Sequence, residues 1–223
     1  MVRHLGARAT NRKVRLFVVA SCRLVQAWFG ERRSLHEIET GERMADGLPE
    51  DAEKSAELDA EDARVAQAVR EGMNPSWAHD GDIPLVRGVA KNCVGHAREA
   101  AERVIAAFEW CDFVRYPFSD VLGGGELVVE DSMPARQCRL LRDLFGNPFR
   151  PVPLSPSWLA WNDGAIRKMA QTIYNDRAFD RLPILADALE DAGCDDVAIL
   201  NHCREPGEHV RGCWLVDLVL GRE

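Results

Sequence analysis

No stretch of this chain approaches the ~20 consecutive apolar residues that a membrane-spanning helix requires. The longest apolar run near the start, Leu16–Cys22, is far shorter, and no membrane span is expected. Basic charge is also in deficit, with 28 Lys and Arg against 36 Asp and Glu and a formal net charge of -8. A molecule of that sign repels a phosphate backbone unless its cations are gathered on one face, so nucleic acid is not an expected partner. Arg3, Arg8, Arg12, Lys13 and Arg15 do gather near the start, in a pattern that more often marks a solvated helix face than a nucleic-acid site.

The signatures of several chemistries are missing too. There is no Gly-x-x-x-x-Gly-Lys-Ser/Thr loop, and the glycines at Gly123, Gly124 and Gly125 run into Glu126, whose charge opposes a phosphate. Nor is there a Gly-x-Ser-x-Gly elbow, a His-Glu-x-x-His helix or a Glu-x-x-His pair of the di-iron kind. No residue is assigned a catalytic role, and an enzyme is not the first expectation.

Cysteine is present but unpatterned. Seven residues, an odd number without a Cys-x-x-Cys pair, fit reduced thiols in a cytoplasmic protein better than a secreted disulfide framework. Val19-Ala20-Ser21-Cys22 does stand where a lipoprotein signal has its lipobox. The apolar stretch before Cys22 falls short of the ~7–15 residues of a secretory segment. Moreover, Val14, Phe17, Val18, Val25 and Trp28 continue one helical face through that point. A mature amphipathic helix is therefore expected, with lipoprotein attachment through Cys22 as the alternative.

What is present is helix. Apolar residues make up 46% of the chain and charged residues 29%, ordinary usage for a chain that folds. Asn11 is placed to cap a helix running to about Phe29, with Gly30 as its stop; Ser34 and Glu37 form a capping-box pattern for a second, and Pro49 opens a third that ends by Gly72. The third carries alanines at Ala52, Ala56, Ala63 and Ala66, expected to pack closely on a neighbour. Apolar residues from Val86 through Cys93, Ala97, Ala101, Val104 and Cys111 keep the 3.6-residue period and predict one long core helix from about Pro84 to Tyr116. After a glycine-rich break, Ser132 caps a helix ending at Gly146, and Asn147–Pro153 must run extended because its prolines lack donors and restrict their predecessors. Further helices are expected from Asn162 or Asp163 to about Arg177, from Asp180 to Ala192, from Asp195 to Cys203 and from Val210 to Leu220. The fold class is all-α: an irregular multi-helix bundle with a long central helix and a proline-rich extended segment. Residues 1–131 and 132–223 are the expected N-terminal bundle and C-terminal helical region, or one continuous domain.

One constellation has metal-binding chemistry. His202, Cys203, His209 and Cys213 supply two imidazoles and two thiols within twelve residues. His209 and Cys213 are four apart, hence on one face if the last helix starts early enough, and His202-Cys203 can return across the Pro206-Gly207 turn to close a structural zinc site. The alternative makes Cys203 and Cys213 small core residues. The carboxylates Asp187, Glu190, Asp191, Asp195 and Asp196 bracket Gly193 and read as helix-end residues. Phe149, Trp158 and Trp161, in and after the proline-rich segment, form a candidate interaction surface or, for the tryptophans, its buried anchors.

Three stretches resemble a set of uncharacterised bacterial helical proteins that occur as many paralogues in large genomes. They are Leu140-Leu141-Arg142-Asp143-Leu144-Phe145-Gly146-Asn147-Pro148-Phe149-Arg150-Pro151, the run from Arg181 to Cys194, and His202-Cys203 through His209-Val210-Arg211-Gly212-Cys213-Trp214. The first helix, from Arg12 to Arg23, looks like that family's first helix, although Val19 and Ser21 stand where its members are richer in cysteine. The resemblance implies a helical module and carries no activity. The leading expectation is a non-enzymatic protein-interaction or scaffold module without a cofactor, acting on a protein partner. The alternative is a zinc-binding helical protein, up to a metal-dependent enzyme, that uses the C-terminal His/Cys cluster.

Overall fold

The computed structural model describes residues 9–24, 32–70, 93, 96–106 and 132–222. Among these residues the regular structure is helical and none is in a strand. The chain divides into two compact units, Met1–Lys13 with Ala135–Glu223, and Val14–Pro134.

Helix α1 (Asn11–Leu24) is capped by Thr10, whose Oγ1 accepts the Lys13 N–H at 3.2 Å, so Asn11 is the first helical residue and not the cap. Five successive residues, Leu16 to Ala20, are buried. The middle of the helix is thus covered on more sides than the one apolar face expected from the sequence, while Asn11 is exposed and Arg12, Arg15 and Arg23 are partly exposed. Residues 25–31, including the expected stop at Gly30, lie outside the described residues.

In the unit Val14–Pro134, α2 (Arg32–Ala45) begins before Ser34, which is therefore inside the helix. Helix α3 (Ala52–Arg70) begins three residues after Pro49 because the Asp51 carboxylate accepts the Lys54 N–H at 3.1 Å and sets the start. Ala52, Ala56 and Ala63 are exposed, and Leu58 is the buried position. Those alanines thus match helix propensity, not the close packing expected of them. Helix α4 is described over 97–106, with Ala97, Ala100, Ala101 and Val104 buried. Cys93 sits in a turn, so the expected 84–116 helix does not pass unbroken through that position, and its remaining parts lie outside the described residues.

Gly41 of α2 is where this unit packs tightest. A Cβ there would lie 2.7 Å from Cys93 Cβ, 2.8 Å from the Cys93 carbonyl and 3.0 Å from Val19 Cγ2. Alanine is ordinarily worth about 1 kcal/mol over glycine inside a helix. Here overpacking against a backbone atom opposes it by about 1–3 kcal/mol. Gly41→Ala is expected to lower stability in urea unfolding, and a stabilised variant would show that Cys93 can give way.

The other unit contains α5 (Met133–Phe145) from Ala135 onward, the non-helical stretch 146–155, α6 (Pro156–Ala160), α7 (Ala165–Asp176), α8 (Leu182–Asp191), α9 (Val197–Arg204) and α10 (Trp214–Leu220). Helix α7 buries Ile166, Ala170 and Ile173, and α8 buries Leu182, Leu185, Ala186 and Leu189, both at helical spacing. Helix α9 packs on α8, and α7 touches both α8 and α10. Val152, Leu154, Trp158 and Trp161 lie half-buried against this core, which makes both tryptophans anchors of the proline-rich stretch, while Phe149 is 94% exposed. Asn162 and Asp163 do not cap α7; they take left-handed conformations with Gly164 and form a turn ahead of it. Asp196 does cap α9, accepting the Ala198 and Ile199 N–H groups at 2.8 and 3.2 Å.

Two charges of the basic cluster are not on a solvated face. Arg12 makes a paired contact with Asp217, 2.6 and 3.1 Å, and donates to the Tyr174 hydroxyl at 3.0 Å. Lys13 is 8% exposed. Asp217 itself is 1% exposed, and a buried carboxylate requires such partners.

Candidate metal centre

Four donor side chains converge in the unit Met1–Lys13 with Ala135–Glu223. Asp143, His202, His209 and Cys213 bring one ligand atom each to within 4.8 Å of all the others. Asp143 comes from the last turns of α5, His202 from α9, and His209 from the loop that leads to Cys213, the residue capping α10.

Each position has a local cause. Helix α5 buries Leu140, Leu141 and Leu144, and Asp143 lies three residues after Leu140, at the edge of that face. On α9, Cys203 is turned into the apolar core while its neighbour His202 points elsewhere, as adjacent helix positions must. Helix α10 starts at Trp214, so His209 and Cys213 do not share a helix face. They meet because Val210–Gly212 turns, with the Cys213 N–H donating to the Val210 carbonyl at 2.9 Å and the Val210 N–H donating to Asp143 Oδ2 at 3.0 Å. Gly146, left-handed at the end of α5, leaves room for the Trp214 ring, whose Cγ would stand 3.0 Å from a Cβ there. The Trp214 ring in turn lies 4.9 Å from that of His202.

Within the cluster, His209 Nδ1 lies 2.7 Å from Asp143 Oδ1, and His202 Nε2 lies 3.0 Å from Cys213 Sγ and 3.5 Å from Asp143 Oδ1. The two imidazoles are edge to face at 4.9 Å. All four side chains are largely shielded: Cys213 fully, Asp143 at 5%, His209 at 12% and His202 at 15% exposure. Burial, with the Asp143 charge, pushes the Cys213 thiol well above its ordinary range.

Two chemistries can be tested against this geometry. A nucleophilic Cys–His–Asp triad needs the carboxylate on the imidazole nitrogen remote from the thiol. Here the same nitrogen, His202 Nε2, faces both Cys213 and Asp143; His209 meets Asp143 through Nδ1, but its Nε2 has no hydrogen-bond partner among the described residues and so does not hold the thiol, which is covered and pushed well above its ordinary pKa. Metal coordination fits better. Bonds of about 2.0–2.3 Å in a tetrahedron separate ligand atoms by about 3.3–3.8 Å. The 3.5 Å pair already matches, and the 2.7 and 3.0 Å pairs, hydrogen-bonded without the ion, would open slightly to admit it. Two imidazoles, a thiolate and a carboxylate suit zinc, whereas magnesium and calcium take oxygen ligands. The thiolate and carboxylate would also balance the ion's two charges in a covered site.

Of the four expected ligands, the structure brings His202, His209 and Cys213 together, and Cys203 is not among them. Cys203 is 1% exposed in the apolar core beside Cys194, and burial pushes its thiol up to about 12. Asp143 was missed because it lies 59 residues before His202. The available signal was a charge at helical spacing beside a buried leucine face. Asp187 and Glu190 pair with Arg204 and so tie α8 to α9.

The imidazoles also set a pH dependence in metal-free protein. Burial, the largest influence, and His209 hold His202 down to about 4, against the pull of Asp143. Between the ordinary 6.5 and about 4 the unfolded chain binds the extra proton, so the contribution of His202 is complete above that window and is lost as pH falls through it. At about 1.36 kcal/mol per pH unit the loss is about 3 kcal/mol. His209 has the opposite sign. Burial works against its charge, but the Asp143 hydrogen bond and charge raise its pKa, so its contribution is present at low pH and is lost as pH rises through that raised value. Urea unfolding from pH 7.5 to 4.5 is expected to show stability falling below pH 6.5, less steeply in His202→Gln; a flat wild-type profile would contradict it.

No family model, no curated protein and no solved structure matches the chain.

Proposed function

We propose that the C-terminal unit is a zinc-binding module in which Asp143, His202, His209 and Cys213 hold one structural zinc ion. The observation that supports this reading is the convergence of four covered donors of zinc-binding type, from two helices and a loop, within 4.8 Å. Four protein ligands leave no open position for a substrate, which makes the ion a fastening and not a catalyst. Elemental analysis of protein purified under reducing conditions without added metal tests this: about one zinc per chain is the expected result, and no metal, with none taken up on zinc addition, would end it.

A non-enzymatic interaction role is the companion reading. Phe149, 94% exposed in the turn between Pro148 and Pro151, favours it, because a large aromatic held in a proline-stiffened turn is suited to entering a partner's pocket. Among the described residues no helix is long and apolar enough to cross a membrane.

A further inference from the structure

We propose that Lys13 is a positioning residue for the metal ligands, stapling together the two backbone segments that carry Asp143 and Cys213. The proposal rests on the zinc reading and concerns what prepares that site.

The Lys13 ammonium donates to the Leu144 carbonyl at 2.9 Å and to the Gly212 carbonyl at 2.6 Å, and it meets Asp217 Oδ2 at 2.6 Å. Its three donors thus have three acceptors. Leu144 directly follows Asp143, and Gly212 directly precedes Cys213. Neither carbonyl has a use inside its own helix. Leu144 lies in the last turn of α5, where carbonyls have no intrahelical partner, and Gly212 lies outside α10. One cation therefore satisfies both and fixes the distance between two ligands that stand 70 residues apart, 143 and 213. Asp217, one helical turn after Cys213, holds the ammonium in place and is itself held by Arg12.

A lysine suits this position because its ammonium is a compact point of charge whose donors diverge, whereas a guanidinium presents a flat fork. Arg12 has a different role. It reaches Asp217 and Tyr174, neither of them a ligand of the cluster. The two neighbouring cations can therefore be separated by experiment.

Groups that orient metal ligands from behind typically govern about 10- to 100-fold of metal affinity. Zinc affinity, measured by chelator competition, is expected to weaken by about tenfold or more in Lys13→Met and to stay within about twofold in Arg12→Met. Both variants should still reach one zinc per chain at saturation, and the thiolate-to-metal band of the cobalt(II) form should persist in both with its intensity altered only in Lys13→Met. Equal affinities for Lys13→Met and wild type would overturn the staple while leaving the zinc site standing; a wild type that takes up no zinc would overturn both. Should Lys13→Met not fold, wild type decides. Acylation of Lys13, measured relative to exposed Lys168, is expected to slow about tenfold when zinc is added, because the ion ties together the two segments that cover the ammonium and makes the local opening that exposes the amine rarer. Unchanged labelling of Lys13 would overturn the proposal.

Discussion

Alanine in place of Asp143 or Cys213 is expected to reduce bound zinc from about one per chain to a small fraction and to remove the stabilisation that zinc confers. The two substitutions act for different reasons. Cys213→Ala deletes the soft donor and leaves a small gap in a fully covered position, so its effect on metal-free protein should be small. Asp143→Ala deletes a donor and also removes the acceptor for the Val210 N–H and for His209 Nδ1. Leaving buried donors unsatisfied costs about 1–3 kcal/mol each. The metal-free Asp143 variant should therefore be the less stable of the two. Structural zinc in small domains is worth about 10–16 kcal/mol, but much of that is folding that this unit obtains from its own apolar core, so a smaller gain is expected here. Zinc content by elemental analysis and thermal unfolding with and without chelator provide the check. If both variants keep full zinc and the wild-type midpoint, the four residues do not bind the ion.

The second large effect is expected at Asp217. This carboxylate is 1% exposed and receives both Arg12 and Lys13 at 2.6 Å. Removing it leaves two covered cations without their anion, a change that typically costs about 3–5 kcal/mol. Burial by itself lowers the pKa of Lys13, and Asp217 is the main influence opposing that. For Arg12 burial likewise works against the charge, but the Asp217 hydrogen bond and charge outweigh it and raise the pKa. Asp217→Ala should therefore shift the urea midpoint strongly. Glu208→Ala, which breaks a 2.6 Å pair with Arg136 at 45% exposure, should change stability by less than about 1 kcal/mol. Similar effects from the two substitutions would mean that the Asp217 network is open to water.

Much of the fold was readable from local pattern. The start of α9, capped by Asp196, and the apolar faces of α7 and α8 follow from spacing and capping that involve only near neighbours in sequence, whereas α8 begins at Leu182, two residues past the expected Asp180 and without a side-chain cap. Errors arose where a side chain made a contact that spacing cannot express. Pro49 and Ser34 are good starting residues, yet the Asp51 carboxylate reached a backbone N–H and moved the start of α3, and α2 took in Ser34. The basic cluster looked solvated because nothing nearby could neutralise it; its anion, Asp217, lies 205 residues from Arg12.

The candidate site shows the same division. His202, His209 and Cys213 were legible because the ligand types crowd into one short segment. Cys203 was included for the same reason and is excluded in space, since its neighbour's direction on α9 is the one that faces the cluster. Asp143 and Lys13 were illegible as partners. By itself the sequence determined that this chain is helical, where most of its helices end, and that two histidines and a cysteine near the C-terminus are close enough to act together. Only the tertiary structure decided that Asp143 completes the set, that Lys13 ties its backbone to that of Cys213, and that Asp217 takes two charges out of water. Helical periodicity and capping are properties of residues a few positions apart, whereas a ligand set and a buried ion network depend on which distant segments the core brings together.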